Sequence, residues 1–284
     1  MASVDNVETT VGEHHPFTMT SGISHRDLQL LKGDGTTLRT LVLLHGIGSS
    51  GDAFADQMSA LSDRWRMLAP DAPGYGESAE SAEAPGIDGF ADAVARLLDD
   101  AEIDRAVVLG VSWGGVIATR FALRHPERLR ALVLADTSRG SGHSPETAEM
   151  MRHRAQQYAA DPEGFVRNRA PLLVADTTSA EVVDRVVSIM ATACRMPGYG
   201  HAAASLAETD HMSDLGRVDA PTLVVVGEHD QVCPPSDSRR LVEAIPGAVY
   251  AEVPDTGHLP NQERPDAFNQ IVGDWLDGLV DRIG

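Results

Sequence analysis

Residues 110–115, with the sequence GVSWGG, constrain the fold of this chain more than any other stretch. They follow an apolar run at 106–109 and precede an amphipathic run at 116–123, which predicts a strand, a tight turn and a helix. Ser112 stands at the apex of the turn, and its flanking glycines lack the Cβ atoms that so sharp a turn would crowd. The pattern G-x-S-x-G in this setting is typical of a nucleophile elbow, which holds a serine hydroxyl exposed above a parallel sheet.

Two later loops carry the partners that a reactive Ser112 needs. A serine hydroxyl requires a base within hydrogen-bond reach and a third group to orient that base. The strand predicted at 222–227 leads into Asp230, and the strand predicted at 248–253 leads into His258, which follows a glycine. This order of serine, acid and histidine, each after a strand, predicts that Ser112, Asp230 and His258 are the catalytic residues.

Other side chains compete for these roles. Among the 11 histidines, His229 and His211 are the alternatives for the base. Asp136, at the end of another predicted strand, is the alternative for the acid, whereas Asp255 is more typical of a turn after proline. The loop position favours Asp230 over Asp136.

Two backbone N–H groups are predicted to form an oxyanion hole. One belongs to Trp113, directly after the serine, and the other to Ile47, in the loop after a strand predicted at 41–44. Gly46 and Gly48 permit the bend of that loop. We expect Gly46 to lie against a bound substrate as well.

The alternation of predicted strands and helices indicates a parallel sheet with helices on both faces. An antiparallel hairpin predicted at 17–33 would edge this sheet. The alternation breaks after Asp136, which divides the chain into an α/β core at 1–136 and 216–284 and an inserted helical cap at 137–215.

Three helix starts, each with a capping side chain, support the cap: Ser144-Pro145, Asp161-Pro162 and Ser179. The third helix is predicted to end at Pro197-Gly198. The cap also carries seven arginines. If the substrate bears a carboxylate, one of them should bind it through a bidentate contact, and Arg139, Arg154 and Arg195 are the candidates, with Tyr199 as a further substrate-binding residue.

Composition narrows the class of protein. A chain of 284 residues suits one α/β domain with a cap. Its net charge of −19 opposes binding to nucleic acid or to an anionic membrane. Cys194 and Cys233 lack metal-ligand spacing, and the N-terminal stretch lacks the apolar core of a signal peptide. We therefore expect a cytoplasmic protein with a small-molecule substrate and no metal or other cofactor, and leave its oligomeric state open, a homodimer included.

Taken together, five marks resemble the α/β-hydrolase superfamily in their order along the chain. They are His45-Gly46, residues 71–78 (DAPGYGES), the elbow at Ser112, residues 227–230 (GEHD) and Gly257-His258. The resemblance implies the α/β-hydrolase fold and a hydrolytic activity.

The C-terminal third resembles the 3-oxoadipate enol-lactone hydrolases in particular. The shared residues are 198–199 (GY), 206–210 (LAETD), 221–223 (PTL), 234–235 (PP) and 257–263 (GHLPNQE). Trp113 and the His45-Gly46 pair depart from that group, which more often has Met or Leu, and His-Ser. Leu259 stands where carbon–carbon bond hydrolases of aromatic degradation usually carry Trp, and Ser112 differs from the Asp of haloalkane dehalogenases and epoxide hydrolases.

The sequence thus predicts a cofactor-free serine hydrolase that cleaves a small ester or (enol-)lactone through an acyl-enzyme. Three alternatives remain open. They are a carbon–carbon or carbon–nitrogen bond hydrolase on the same triad, a cofactor-free perhydrolase, and a non-catalytic binding protein on this fold.

Overall fold

An eight-stranded sheet forms the centre of the molecule in this computed structural model, which describes residues 17–18, 22–28 and 39–283. The strands are β1 (Phe17–Thr18), β2 (Ser24–Leu28), β3 (Arg39–Leu44), β4 (Trp65–Pro70), β5 (Ala106–Val111), β6 (Leu129–Ala135), β7 (Thr222–Gly227) and β8 (Val249–Val253). Their order across the sheet is β1-β2-β4-β3-β5-β6-β7-β8.

The sheet is parallel from β4 to β8, and β1 and β2 add an antiparallel edge. The pairing of β1 with β2 is the hairpin predicted at 17–33, of which residues 19–21 and 29–33 lie outside the described part of the chain. Every residue of β5 and β7 is buried. Both strands read as continuous apolar runs because helices cover both faces of a parallel sheet.

Helices surround the sheet on its two faces. Outside the segment predicted as the cap, the helices are α1 (Ala55–Leu61), α2 (Gly86–Asp100), α3 (Trp113–Arg124), α8 (Pro235–Ala244), α9 (Pro260–Glu263) and α10 (Pro265–Ile283). Within that segment, which keeps the name cap below, they are α4 (Pro145–Ala160), α5 (Pro162–Arg169), α6 (Ala180–Ala193) and α7 (Gly198–Ala207). All four cap helices lie between β6 and β7 in the chain. Across the described ranges, none of the helices combines the length and the apolar character that a membrane crossing needs.

The cap helices begin where their capping residues predict. Ser144, Asp161 and Ser179 accept hydrogen bonds from backbone N–H groups in the first turns of α4, α5 and α6. The predicted end of the third helix is wrong, because α6 stops at Ala193 and Pro197-Gly198 opens a fourth helix, α7. Gly198 packs so closely on a core loop that an added Cβ would lie 2.1 Å from a backbone oxygen there.

Three buried histidines are held in their neutral form by the fold. Burial lowers the pKa of His25, His45 and His211. His211 Nε2 hydrogen bonds to the carbonyl of Val116 at 3.1 Å, so this nitrogen carries the proton. Protonating any of these rings would place a charge inside the protein.

We expect the free energy of unfolding to fall as the pH decreases from about 6.5 towards 5. The unfolded chain protonates its histidines below about pH 6.5, whereas the three buried rings resist protonation, so the unfolded state binds more protons. Each histidine then changes stability by up to about 1.4 kcal/mol per pH unit. Asp136 has the opposite effect, because burial raises its pKa and the folded state then binds this proton more tightly than the unfolded state. This is one group against three histidines. Urea unfolding between pH 7.5 and 5 measures the slope, and H211Q should reduce it; an equal slope in H211Q would contradict this account.

Candidate active site

Ser112 lies at the sharp turn between β5 and α3, in a backbone conformation that L residues rarely adopt. Its φ is 55° and its ψ is −118°. Neighbouring backbone holds it there, since the Ser112 N–H donates to the Ala135 carbonyl at 2.9 Å and Thr137 Oγ1 donates to the Ser112 carbonyl at 2.6 Å. Such local strain persists only where the surroundings impose it, and here it turns the hydroxyl away from the helix and towards the loops above the sheet.

The two glycines of the elbow are required by close packing. A Cβ on Gly114 would lie 2.1 Å from the Leu44 carbonyl oxygen, and a Cβ on Gly110 would lie 2.2 Å from the Gly114 carbonyl oxygen. The turn can therefore be this tight only with glycine at both positions.

A continuous hydrogen-bonded chain joins Ser112, His258 and Asp230. Ser112 Oγ lies 2.9 Å from His258 Nε2, and His258 Nδ1 lies 2.8 Å from Asp230 Oδ2. The other carboxylate oxygen of Asp230 accepts from the N–H groups of Val232 at 2.7 Å and Cys233 at 3.0 Å. Because a carboxylate only accepts, His258 Nδ1 carries the ring proton and Nε2 is free to accept from the serine hydroxyl.

The alternative histidines and Asp255 lie elsewhere. His229 is exposed, and His211 is buried with its Nε2 bonded to a carbonyl of α3. Asp255 is exposed and pairs with Arg264 at 3.1 Å. Among the described residues, none of these three hydrogen bonds to Ser112.

Asp136 is the nearest rival of Asp230, and it lies beside it. One oxygen of each carboxylate and one nitrogen of His258 all lie within 4.8 Å of one another. Asp136 is fully buried, and its Oδ1 accepts from the Gly227 N–H at 2.8 Å, while its Oδ2 has no partner in the part of the chain that is described. Burial, reinforced by the negative charge of Asp230, raises the pKa of Asp136 well above its usual value. Both effects favour the protonated, neutral form of Asp136 beside the carboxylate that holds the histidine.

The two N–H groups predicted for the oxyanion hole point to no acceptor of the protein. Neither Ile47 N–H nor Trp113 N–H donates a hydrogen bond within the ranges that the structure describes. Gly46 lies against the serine, since a Cβ added there would be 3.2 Å from Ser112 Cβ. One donor thus lies in the loop after β3 and the other at the first residue of α3, directly after Ser112.

His45 holds the loop at residues 45–48, which is predicted to supply one oxyanion-hole donor and is called the oxyanion loop below. Its Nδ1–H donates to the Gly46 carbonyl at 2.9 Å, and its Nε2 accepts from the Ala72 N–H at 2.9 Å. These bonds use both ring nitrogens and need the neutral imidazole, in agreement with the burial that lowers its pKa. The buried Trp113 ring anchors the other side, with Nε1 donating to Ser205 Oγ of α7 at 3.0 Å.

Glu263 belongs to this site, although the sequence analysis includes it only in the stretch 257–263 and predicts no role for it. Its carboxylate accepts from the N–H groups on both sides of the histidine, those of Gly257 at 2.9 Å and Leu259 at 3.1 Å. It also accepts from the Ala175 N–H at 2.8 Å and the Thr178 hydroxyl at 2.6 Å, both in the cap. One carboxylate therefore holds the histidine loop and the cap together, and only the spacing of the His258 and Glu263 positions hints at it in the sequence.

We expect E263A to lower kcat by about 10- to 100-fold with a smaller change in KM, because the loop that carries His258 loses its anchoring acceptor and the histidine is misplaced. E263Q keeps one acceptor oxygen and should recover part of the loss. Steady-state kinetics check this, with E243A on the exposed surface of α8 as the control. A rise in KM alone would contradict a positioning role.

Two cavities meet at Ser112. The larger, of about 260 Å³, extends between α4 and α8 and is lined by Arg139 and Arg154. The smaller, of about 50 Å³, lies beside His258 and the oxyanion loop and is lined by Arg154, Arg169 and Tyr199. Met151 and Leu206 also line the larger cavity, so polar and apolar side chains both surround the space beside the serine.

The structure separates the cap residues that the sequence grouped together. Arg154 and Tyr199 line the cavities, and so does Arg139, whose guanidinium also lies 3.6 Å from Asp210. Arg195 lines neither cavity, and its guanidinium pairs with Glu80 at 2.5 Å and donates to the backbone carbonyls of Gly76 and Ser78. Arg169 is not among the arginines predicted to bind the substrate, because nothing in its neighbouring sequence distinguishes it from the other cap arginines.

Two groups of side chains among the described residues lie close enough together to hold a metal ion. Besides the group of Asp136, Asp230 and His258, the described residues bring together one more triplet, Glu228, His229 and Asp255, which is fully exposed. In the first group His258 and Asp230 already bind each other. The arrangement at Ser112 therefore offers nucleophilic and acid–base chemistry, with two N–H donors for a developing oxyanion.

Comparison with known proteins agrees with this architecture. Residues 39–184 match the family model for the alpha/beta hydrolase fold. The chain is 29% identical over 255 residues to the pimeloyl-[acyl-carrier protein] methyl ester esterase of Neisseria meningitidis, covering 86% of this chain and 78% of that one. It is 28% identical over 235 residues to 3-oxoadipate enol-lactonase 2 of Acinetobacter baylyi, covering 82% and 86%.

Among solved structures, a thermophilic esterase of Thermogutta terrifontis with malate bound superposes with a TM-score of 0.80 at 30% identity, covering 90% of this chain and 93% of that one. The resemblance to the enol-lactone hydrolases is confirmed by the match to the Acinetobacter enzyme. Since the family match runs from β3 through the elbow into the cap, and the sheet has the topology that the match implies, this chain belongs to the α/β-hydrolase family and is a hydrolase.

Proposed function

We propose that this protein is a serine hydrolase that cleaves a small ester or (enol-)lactone in two steps through an acyl-enzyme. The observation that carries the proposal is the hydrogen-bonded chain from Ser112 Oγ through His258 to Asp230, with distances of 2.9 and 2.8 Å. Relatives that are named an esterase and an enol-lactonase support the same substrate class.

In the first step Ser112 Oγ attacks the carbonyl carbon of the substrate, and its proton moves to His258 Nε2. The Ile47 and Trp113 N–H groups donate to the carbonyl oxygen as it gains negative charge. Asp230 stabilises the imidazolium that forms. When the tetrahedral intermediate collapses, the bond to the leaving oxygen breaks and His258 returns the proton to that oxygen.

In the second step a water molecule attacks the acyl carbon, and His258 takes its proton. The bond between the acyl group and Ser112 Oγ breaks, and the serine recovers its proton from His258. The product acid is released. With a lactone the leaving oxygen stays attached to the acyl group, so the ring opens and one product leaves.

Active-site labelling tests the proposal. A fluorophosphonate probe should add covalently to Ser112, and mass spectrometry of a single turnover with a 4-nitrophenyl ester should show the acyl group on the peptide that contains this serine. S112A should show neither adduct. Absence of both adducts in the native protein would point to a binding protein on this fold.

Parallel assays of the native protein with other substrates distinguish the alternative chemistries. Faster cleavage of a β-diketone or an amide than of the matched ester would assign carbon–carbon or carbon–nitrogen bond hydrolysis. Halogenation that depends on added peroxide would assign a perhydrolase. Ester or lactone cleavage as the fastest reaction is the result that we expect.

A further inference from the structure

We propose that Arg154 and Arg169 together bind a carboxylate of the substrate, so that the enzyme acts on small esters or lactones that carry a carboxylate group. This inference rests on the proposed function and names the substrate class of the same site. It concerns a pair of cap side chains, one from α4 and one from α5.

Both arginines line a cavity that also reaches the reactive side chains. They line the smaller cavity together with Ser112 and His258, and Arg154 also lines the larger cavity. The charge of Arg169 interacts with that of Asp230, the acid that orients the histidine. An anion held between the two guanidinium groups would therefore belong to the molecule whose carbonyl faces Ser112.

Neither guanidinium is used by the protein. Within the described ranges, Arg154 and Arg169 form no ion pair and donate no hydrogen bond, although the chain has 42 acidic residues to supply partners. Arg139 and Arg195, in contrast, lie against Asp210 and Glu80. Arg154 and Arg169 are therefore the two arginines of the smaller cavity, and the described part of the fold supplies neither of them with a carboxylate.

The two charges are close enough to disfavour each other. Burial, and then the charge of Arg154, lower the pKa of Arg169 to about 10, so Arg169 is still cationic at neutral pH. Holding two like charges together in a half-buried site is unfavourable unless an anion lies between them. A bound carboxylate would neutralise this repulsion.

The donor chemistry selects a planar anion. Each guanidinium presents a rigid fork of N–H groups that matches the two oxygens of a carboxylate. Tyr199, whose ring is buried against Tyr158 with centroids 4.7 Å apart, lines the same small cavity. The cavity beside the arginines is small, with a volume of about 50 Å³.

Kinetics on matched ester pairs test the clamp. The substrates are the 4-nitrophenyl hemiesters of succinate, glutarate and adipate, each with a neutral analogue in which the free carboxylate is a carboxamide. For at least one chain length, R154Q and R169Q should each raise KM for the anionic ester by about 10- to 100-fold. KM for the carboxamide should change less than about threefold.

Two neighbouring arginines serve as controls. R167Q, on the same helix as Arg169, and R152Q, on the same helix as Arg154, change exposed side chains outside both cavities and should leave both esters unaffected. Equal loss of both esters in R154Q and R169Q, or no loss of either at any chain length, would overturn the clamp.

A binding measurement separates failure of the clamp from failure of the proposed function. Calorimetry in the S112A background should give a lower Kd for the anionic hemiester than for its carboxamide, and R154Q/R169Q added to S112A should remove the difference. If that preference is present but the native protein hydrolyses neither ester, the hydrolase proposal fails while the clamp stands. If the two Kd values are equal, the clamp fails.

Discussion

S112A is expected to abolish ester hydrolysis, with a loss in kcat on the order of 10⁴-fold or more, while the fold remains intact. The substitution removes the nucleophile and its hydrogen bond to His258. It keeps both hydrogen bonds of the residue-112 main chain, the one that its N–H donates to the Ala135 carbonyl and the one that its carbonyl accepts from Thr137 Oγ1. The strained turn is therefore still held in place. Steady-state kinetics measure the loss, and circular dichroism with urea unfolding measures the fold.

Ser141 offers a matched control for this prediction. It lines the larger cavity beside Ser112, and its hydroxyl makes no hydrogen bond within the described residues. S141A should therefore retain activity within about threefold of the native enzyme. Activity of S112A within tenfold of the native enzyme would show that Ser112 is not the nucleophile.

D230N is expected to lower kcat by about 10⁴-fold, the size of the effect that the same change has in a serine protease of another fold. Asparagine has one acceptor oxygen where aspartate has two. Its NH₂ group must therefore face either His258 Nδ1 or the N–H groups of Val232 and Cys233. Either choice puts donor against donor and disturbs the histidine tautomer.

D136N is expected to stay within about tenfold of the native enzyme. Burial raises the pKa of Asp136 and so favours its neutral form, and an amide of the same shape is also neutral. The backbone N–H of Gly227 keeps an acceptor in the asparagine oxygen. Comparison of kcat for D230N and D136N decides between the two acids, and a larger loss in D136N would assign the orienting role to Asp136.

Local features of the sequence predicted the framework well. The strand-turn-helix at Ser112, the alternation of strands and helices, and the capping residues Ser144, Asp161 and Ser179 all depend on neighbouring residues, and the structure shows each of them. The proximity of Ser112, Asp230 and His258 could also be predicted, because each follows a strand and the carboxyl ends of parallel strands meet at one edge of the sheet. Such features need only local geometry and the direction of each strand.

Contacts between distant segments decided the rest. Arg195 and Glu80 are 115 residues apart, and Glu263 and Ala175 are 88 residues apart, so no local pattern reveals either pair. Asp136 and Asp230 both follow strands, and only the tertiary structure buries the first without a partner for its Oδ2 among the described residues and places the second against His258. The sequence by itself determined the sheet, the elbow and the order of the reactive groups, whereas tertiary packing decided which polar side chains are already paired and which still face the serine, because pairing depends on distance in space and not along the chain.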